Sequence, residues 1–330
     1  MPSQVIRPAP PAQAMFRRFL SIASTAFTEA AAEPVSALVE LAAVLMVHLA
    51  PTMQYTLLSE PGRMARDGGF SALLVFGAFF SVSAGLRAVG RELASGTAAA
   101  ALARPVPRPL FLAGKIAGVL LAFAVFAVAT LCATAISQGS CIAGAMEAAS
   151  RGETGVARVS GQCLAAGVLA VLLALAVSAA LHRFRRARFA PALFRSIALF
   201  QAVAAAWVLF SGSAPLDMRM APAALPVAAY VCVLAVAASA MACRFRPAFA
   251  AAASAAMAVA SAFMSLLPAA MQTVLGAFIP DFRNFWLADA LAGVSGVPWR
   301  YSMAACAAAL PLSLVWFAAG CALFRSRDIG

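Results

Sequence analysis

Charged residues are scarce in this chain of 330 residues: 11% are charged, whereas 64% are hydrophobic. A water-soluble domain carries roughly 25% charged residues, because its whole surface has to be hydrated. The mean hydropathy of +0.92 therefore excludes a soluble globular fold, a disordered tail and a small secreted disulfide domain. The composition places the chain in a membrane.

Motifs for covalent chemistry are also missing. The two histidines and seven cysteines have no partners at the spacings that metal sites use, although Cys141 and Cys163 flank one predicted outer loop and are a candidate disulfide pair. The sequence lacks the G-x-x-x-x-G-K-S/T loop that holds nucleotide phosphates. We expect no catalytic residue, no metal and no cofactor bound by this chain.

The net charge of +12 is typical of nucleic-acid-binding proteins, but its distribution argues against that class. The 23 arginines and the single lysine, Lys115, are spread between apolar runs instead of being clustered on one face. We therefore expect no nucleic-acid partner. Arginine-rich, lysine-poor usage also suggests a GC-rich bacterial genome, and hence a bacterial cytoplasmic membrane.

Eight apolar segments are long enough to cross about 30 Å of hydrocarbon as helices. They are residues 35–57, 70–86, 112–136, 163–181, 196–211, 225–243, 248–268 and 301–324. The pattern predicts an all-α polytopic membrane protein with a single domain over residues 1–330. A six-crossing alternative treats 225–268 as a shallow hairpin. We favour eight crossings because Arg244 and Arg246 interrupt that stretch, and an arginine at mid-bilayer costs about 2.5–3.5 kcal/mol.

The connections between these segments differ in charge. With a cytoplasmic N-terminus, 17 of the 24 basic residues fall on the inner side and 7 on the outer side. Because cytoplasmic loops retain Lys and Arg, both termini are predicted to be cytoplasmic. Residues 1–33 are predicted to form a proline-rich tail and an interfacial helix. Residues 269–300, which are rich in aromatics, are predicted to form an outer loop or a re-entrant segment.

Ionisable residues within the spans are few, and the clear cases are Glu40 and His48 in the first one. Their spacing of eight residues puts both on about one helix face. Two interpretations stay open. They line a polar track through the bundle, or Glu40 lies near the inner interface while His48 makes a structural hydrogen bond between helices.

The connection at residues 90–111 carries the most specific pattern. Gly96 is expected to break the second span and Thr97 to cap a short alanine-rich helix. Pro105, Pro107 and Pro109 then forbid a continuous helix and stiffen the chain. We interpret this segment, named the elbow, as a rigid charged element at the cytoplasmic face, with an ordinary basic loop as the alternative.

The string RELASGTAAAALARPVPRPLFLAGK in this region resembles the pattern of the type 2 ABC transporter permease family. The resemblance is carried by an acidic residue and Gly-Thr before a short helix, then Arg-Pro-Val, a basic residue and Gly-Lys. The matching positions are Glu92, Gly96, Thr97, Leu102, Arg104, Pro105, Val106, Arg108, Gly114 and Lys115. Residues 22–30, 280–289 and 324–328 also resemble the family's interfacial helix, last outer loop and C-terminal exit.

This resemblance implies the membrane subunit of an ATP-driven exporter. A separate ATPase subunit would dock on the elbow through Glu92, Gly96, Thr97, Leu102, Arg104, Pro105 and Arg108, and ATP would act only through that partner. A second copy or a paralogue would complete the path. The alternatives are a membrane enzyme of lipid metabolism or a structural membrane protein.

Two further motifs have local interpretations. The basic run at residues 182–188 is expected to bind anionic lipids, with a second ATPase contact as the alternative. Gly114 and Gly118 form a G-x-x-x-G motif, which permits a close approach between helices or between two copies.

Overall fold

The computed structural model describes residues 12–53, 61–94, 107–153, 158–215, 217–292 and 296–325. It is 86% helical, and no strand occurs among the described residues. The described residues form ten α-helices, in chain order α1 (Ala12–Ala32), α2 (Pro34–Leu49), α3 (Arg63–Ala94), α4 (Arg108–Ser150), α5 (Gly161–Arg185), α6 (Phe189–Ser211), α7 (Met220–Ala242), α8 (Pro247–Phe263), α9 (Ala269–Leu275) and α10 (Trp299–Arg325).

Eight helices of the described chain are long and apolar enough to cross a membrane, namely α2 to α8 and α10. The all-α prediction and the eight predicted spans are therefore confirmed. Several helices extend beyond the apolar runs, most of all α4, which continues from Ile136 to Ser150. The loss of hydropathy after Ile136 does not end the helix, because no proline follows and alanines keep the helical propensity high.

Helix α7 passes through the centre of the bundle, and 78% of the residues in its most apolar 18-residue stretch are buried. It packs so closely on α3 that a Cβ atom on Gly85 would lie 2.7 Å from the Ser239 hydroxyl. At its other end, the Ser302 hydroxyl of α10 donates a hydrogen bond to the Pro222 carbonyl. Such enclosure does not fit a shallow hairpin at 225–268, so the structure favours eight crossings over six.

The helix ends gather on two sides of the bundle. We name the elbow side the one where α3 ends and α4 begins, and the far side the opposite one. On the elbow side, the Arg108 guanidinium donates to the Arg325 carbonyl at 3.2 Å. On the far side, the Arg66 guanidinium donates to the Leu291 carbonyl at 3.4 Å.

A polar clamp holds the far-side connection between α6 and α7. Asp217 accepts two side-chain hydrogen bonds from Arg219, at 2.9 and 3.0 Å, and a weaker one from Gln138 of α4. Partial burial raises the pKa of Asp217, but the hydrogen bonds and charge of Arg219 outweigh burial and hold that pKa below its ordinary value. The carboxylate therefore stays ionised at neutral pH.

Residues 278–285 contact α10 and α7 far along these helices from their far-side ends. The Trp316 indole donates to the Phe278 carbonyl at 2.8 Å, and Trp316 lies about 26 Å along α10 from its first residue. Tyr230, about 15 Å into α7, contacts the rings of Phe282 and Phe285. The assignment of 269–300 as an outer loop or a re-entrant segment stays a prediction.

Helix α1 packs against the first turns of α4 at the G-x-x-x-G motif. A Cβ atom on Gly118 would lie 2.6 Å from the Ala26 Cβ atom and 2.8 Å from the Phe27 nitrogen. A Cβ atom on Gly114 would lie 2.8 Å from a methyl group of Ile22. The motif therefore serves a close approach between helices of one chain, the first of its two interpretations.

We predict that Gly118→Ala destabilises the protein by about 1–3 kcal/mol, because the added methyl group overpacks the contact with α1. Thermal unfolding in detergent measures this as a lower Tm. Gly90→Ala is the matched control, since nothing lies within 4 Å of its Cβ position. Equal melting temperatures for Gly118→Ala and the wild type would contradict the described packing.

Candidate functional site

A buried lysine lies where α1, α3 and α4 meet on the elbow side. The side chain of Lys115 in α4 is 2% exposed. Its ammonium group donates to Glu29 of α1 at 3.0 Å and to Glu92 of α3 at 2.5 Å. One cation therefore joins three helices, two of which flank the elbow.

A second ion-pair group lies beside it and joins α3 to the junction between α1 and α2. Glu33, the residue between these two helices, pairs with Arg91 at 2.7 Å and with Arg87 at 3.8 Å. A small cavity of about 110 Å³ lies between the two groups and is lined by charged residues of both. The last two turns of α3 are thus held by charge on both sides of this cavity.

The start of α4 is also attached to the end of α10. The Arg108 guanidinium donates to the carbonyl groups of Phe324 and Arg325, at 3.3 and 3.2 Å. The ring of Phe324 stacks on Phe111 with a centroid distance of 6.0 Å. The last helix is therefore coupled to the helix that leaves the elbow.

These contacts fix the end of α3 and the start of α4, the two helix ends that flank the elbow. Burial of an ammonium group is costly unless charged or polar partners compensate it, and the two carboxylates do so for Lys115. Glu29 and Arg108 also join the helices on either side of residues 95–107 to α1 and α10. The arrangement consists of ion pairs, hydrogen bonds and a ring contact between helix ends.

The family of the chain follows from comparison with known proteins. The family model described as "ABC-2 family transporter protein" matches residues 30–204, just over half of the chain. The chain belongs to the ABC-2 transporter family. No curated protein and no solved structure gives a significant match. The predicted family is therefore confirmed, and the protein is a multi-pass membrane component of a transport system and not itself an enzyme.

The matched range of this ABC-2 protein includes Glu33, Arg87, Arg91, Glu92 and Lys115. Glu29 lies one residue before it, and α7 to α10 lie after it. Members of the family usually work with an ATPase subunit. The two ion-pair groups, together named the charged joint, thus lie, except for Glu29, in the part of the chain that the family model matches.

Of the predicted docking residues, the structure describes Glu92 and Arg108. Both bind other parts of the chain, Glu92 through Lys115 and Arg108 through the end of α10. The remaining ones lie outside the described residues: Gly96, Thr97, Leu102, Arg104 and Pro105. Docking of an ATPase at all seven positions stays a prediction.

Glu40 and His48 share the buried face of α2 but have different surroundings. The ring nitrogens of His48 form hydrogen bonds with Ser137 of α4 at 3.1 Å and with Gln201 of α6 at 3.2 Å. Gly167 of α5 leaves the space for this ring, since a Cβ atom there would lie 2.8 Å from Nδ1. His48 therefore makes the structural hydrogen bonds of the second interpretation.

Glu40 is fully buried, and its two carboxyl oxygens have no hydrogen-bond partner among the described residues. No hydrogen bond of the described structure joins it to His48. A continuous polar track from Glu40 to His48 stays a prediction.

Sequence reasoning did not identify Glu29 and Glu33 as parts of the site. Acidic residues at the end of α1 fit any interfacial helix, so their positions did not indicate ion pairs. Their partners in the structure are 54 to 86 residues away in the sequence. One signal was present: Lys115, the single lysine, lies about two turns inside a long apolar helix that begins at Arg108. A cation in such a place requires acidic partners from neighbouring helices.

All seven cysteines are free, including Cys141 and Cys163, both of which are buried. The candidate disulfide between these two is therefore not formed in the structure.

We predict that Lys115→Met lowers the free energy of unfolding by roughly 3–5 kcal/mol, because it leaves the Glu92 carboxylate in a partly buried site without its cation. Glu29→Gln is expected to cost less than about 1 kcal/mol, since the Glu29 side chain is 47% exposed. Denaturant titration in detergent measures both values.

The double variant Lys115→Met/Glu92→Gln tests the origin of the loss, because it removes the charge of the Glu92 carboxylate together with its Lys115 cation. We expect it to be more stable than Lys115→Met alone. Wild-type stability in Lys115→Met, or an additive loss in the double variant, would contradict the described joint.

Proposed function

We propose that the chain is the membrane subunit of an ATP-binding-cassette exporter, driven by a separate ATPase that docks on the elbow. The observation that carries this proposal is the joint around Lys115, which binds together the helices on both sides of residues 95–107. Family membership supports it, since ABC-2 permeases usually work with an ATPase subunit. The direction of transport follows from the resemblance to type 2 exporters.

In this mechanism the chain supplies two conformations and no covalent step. ATP binding closes the partner subunits, and the elbow moves with the surface on which they dock. Because α3 and α4 are attached to α1 and α10, all four helices move together and open the path toward the far side. Nucleotide acts by shifting the balance between the two conformations. ATP is bound by the partner only.

Glu92 is a positioning residue in this mechanism. Its carboxylate fixes the end of α3 against Lys115, so it sets the orientation of the elbow. A second permease copy or a paralogue completes the path, and anionic lipids surround the basic elbow side. The proposed location is a bacterial cytoplasmic membrane.

We predict that replacing residues 97–104 by a Gly-Ser sequence of equal length abolishes co-purification of the ATPase. The permease is purified with a tag from membranes of its source cells in mild detergent, and the eluate is assayed for ATPase activity and for its protein content. The control is a Gly-Ser replacement of residues 154–157, which separate α4 from α5 in the sequence. Retention of the ATPase after the change at 97–104 would disprove docking at the elbow.

We predict that the elbow side faces the cytoplasm. In a cysteine-free background, Met218→Cys on the far side should react with a membrane-impermeant maleimide in intact cells, since Met218 is 63% exposed. Arg244→Cys, at the turn between α7 and α8, should react only after permeabilisation, because the positive residues concentrate on that side. The reverse pattern would invert the topology, and labelling of both in intact cells would refute eight crossings.

A further inference from the structure

A second cavity on the elbow side has a lining that the transport mechanism does not use. It measures about 520 Å³ and lies between the α1–α2 junction, the end of α3 and the start of α6. Its lining includes Arg91, Arg188 and Arg195 together with Glu29 and Glu33, which gives these five side chains a net charge of +1.

The acidic groups of this cavity are already engaged, whereas two of its cations are not. Glu29 pairs with Lys115, and Glu33 pairs with Arg91 and Arg87. Arg188 and Arg195 are exposed, and neither forms an ion pair with any part of the chain that the structure describes. The Arg195 guanidinium lies over the ring of Phe27 at 5.9 Å, which fixes its position at the wall of the cavity.

Two guanidinium groups beside an open cavity are suited to bind a phosphate, since each guanidinium presents paired N–H donors to the phosphate oxygens. The carboxylate of Glu29 pairs with Lys115 through Oε2 but is 47% exposed, so it can accept a further hydrogen bond in the same cavity. A ligand suited to the two arginines and to Glu29 carries one negatively charged phosphodiester and, next to it, groups that donate hydrogen bonds. Glycerol hydroxyl groups are such donors.

The surroundings favour a lipid over a free phosphate. The cavity lies at the level where α2 and α6 begin, because Pro34 and Pro191 line it. Next to these prolines, Val35 and Phe189 are exposed apolar side chains at 37% and 39%. Acyl chains attached to a phosphate in the cavity would thus meet apolar helix surface directly below it.

We propose that this cavity is a specific binding site for the headgroup of an anionic glycerophospholipid of the phosphatidylglycerol type, with Arg188 and Arg195 binding the phosphate. The site differs from diffuse attraction by the basic run at residues 182–188, because only Arg188 of that run lines the cavity. The proposal goes beyond the transport function and does not depend on the ATPase.

Native mass spectrometry of the detergent-purified protein tests the site by titration with phosphatidylglycerol and with phosphatidylcholine. The wild type should bind one phosphatidylglycerol molecule more tightly than further ones, and more tightly than phosphatidylcholine. Arg188→Gln/Arg195→Gln should weaken this first binding event about tenfold or more, because it removes two charge-assisted contacts. Arg183→Gln/Arg185→Gln is the matched control, with the same loss of charge in exposed residues outside the cavity.

Three results would overturn the proposal. Equal weakening by both double variants would mean diffuse charge attraction. Binding of phosphatidylcholine as tight as that of phosphatidylglycerol would mean that the site does not distinguish the two headgroups. Displacement of phosphatidylglycerol by about 10 mM inorganic phosphate would mean that the site binds free phosphate. If the Arg188→Gln/Arg195→Gln protein melts early, Arg188→Gln alone, at the N-cap of α6, replaces it in the same comparison.

Discussion

The elbow side of the bundle depends on the enclosure of one ammonium group by two carboxylates. Lys115 is 2% exposed, and its charge is compensated mainly by Glu92, which is 22% exposed, and more weakly by Glu29, which is 47% exposed. These two contacts hold α1 and α3 against α4. It also explains the glycines at the start of α4, since Gly114 and Gly118 let α1 approach closely enough for Glu29 to reach the lysine.

The same joint relates the fold to the proposed transport function. A flexible attachment would absorb a push on the elbow, whereas helices joined by buried charge and tight packing move as one body. Contacts of Arg108 with the end of α10 extend this body to the last helix. The far side is held differently, by the Asp217–Arg219 clamp and by contacts of the segment at 278–285 with α7 and α10. Each side of the membrane therefore has its own set of constraints.

Much of the architecture was predictable, because the thickness of the hydrocarbon layer sets the length of a spanning helix and apolar runs of that length are visible in the sequence. The ends of α3 and α4 were not, since helix propensity continues where hydropathy stops. The site was only partly predictable. Lys115 and Glu92 belonged to a recognisable motif, but the contact with Glu29 joins residues 86 positions apart. Arg108 was expected to face a partner, and its bonds to α10 depend on tertiary packing alone.

The central claim is that α1, α3 and α4 move as one unit when nucleotide binds to the partner. Distances between spin labels in the purified complex test it most directly, with Ser24→Cys on α1, Gly90→Cys on α3 and Phe184→Cys at the exposed end of α5, a helix outside this unit. We expect the distance from position 24 to 90 to stay constant between nucleotide-free and ATP-trapped states, while that from 90 to 184 changes. A change from 24 to 90 with a constant distance from 90 to 184 would contradict the claim.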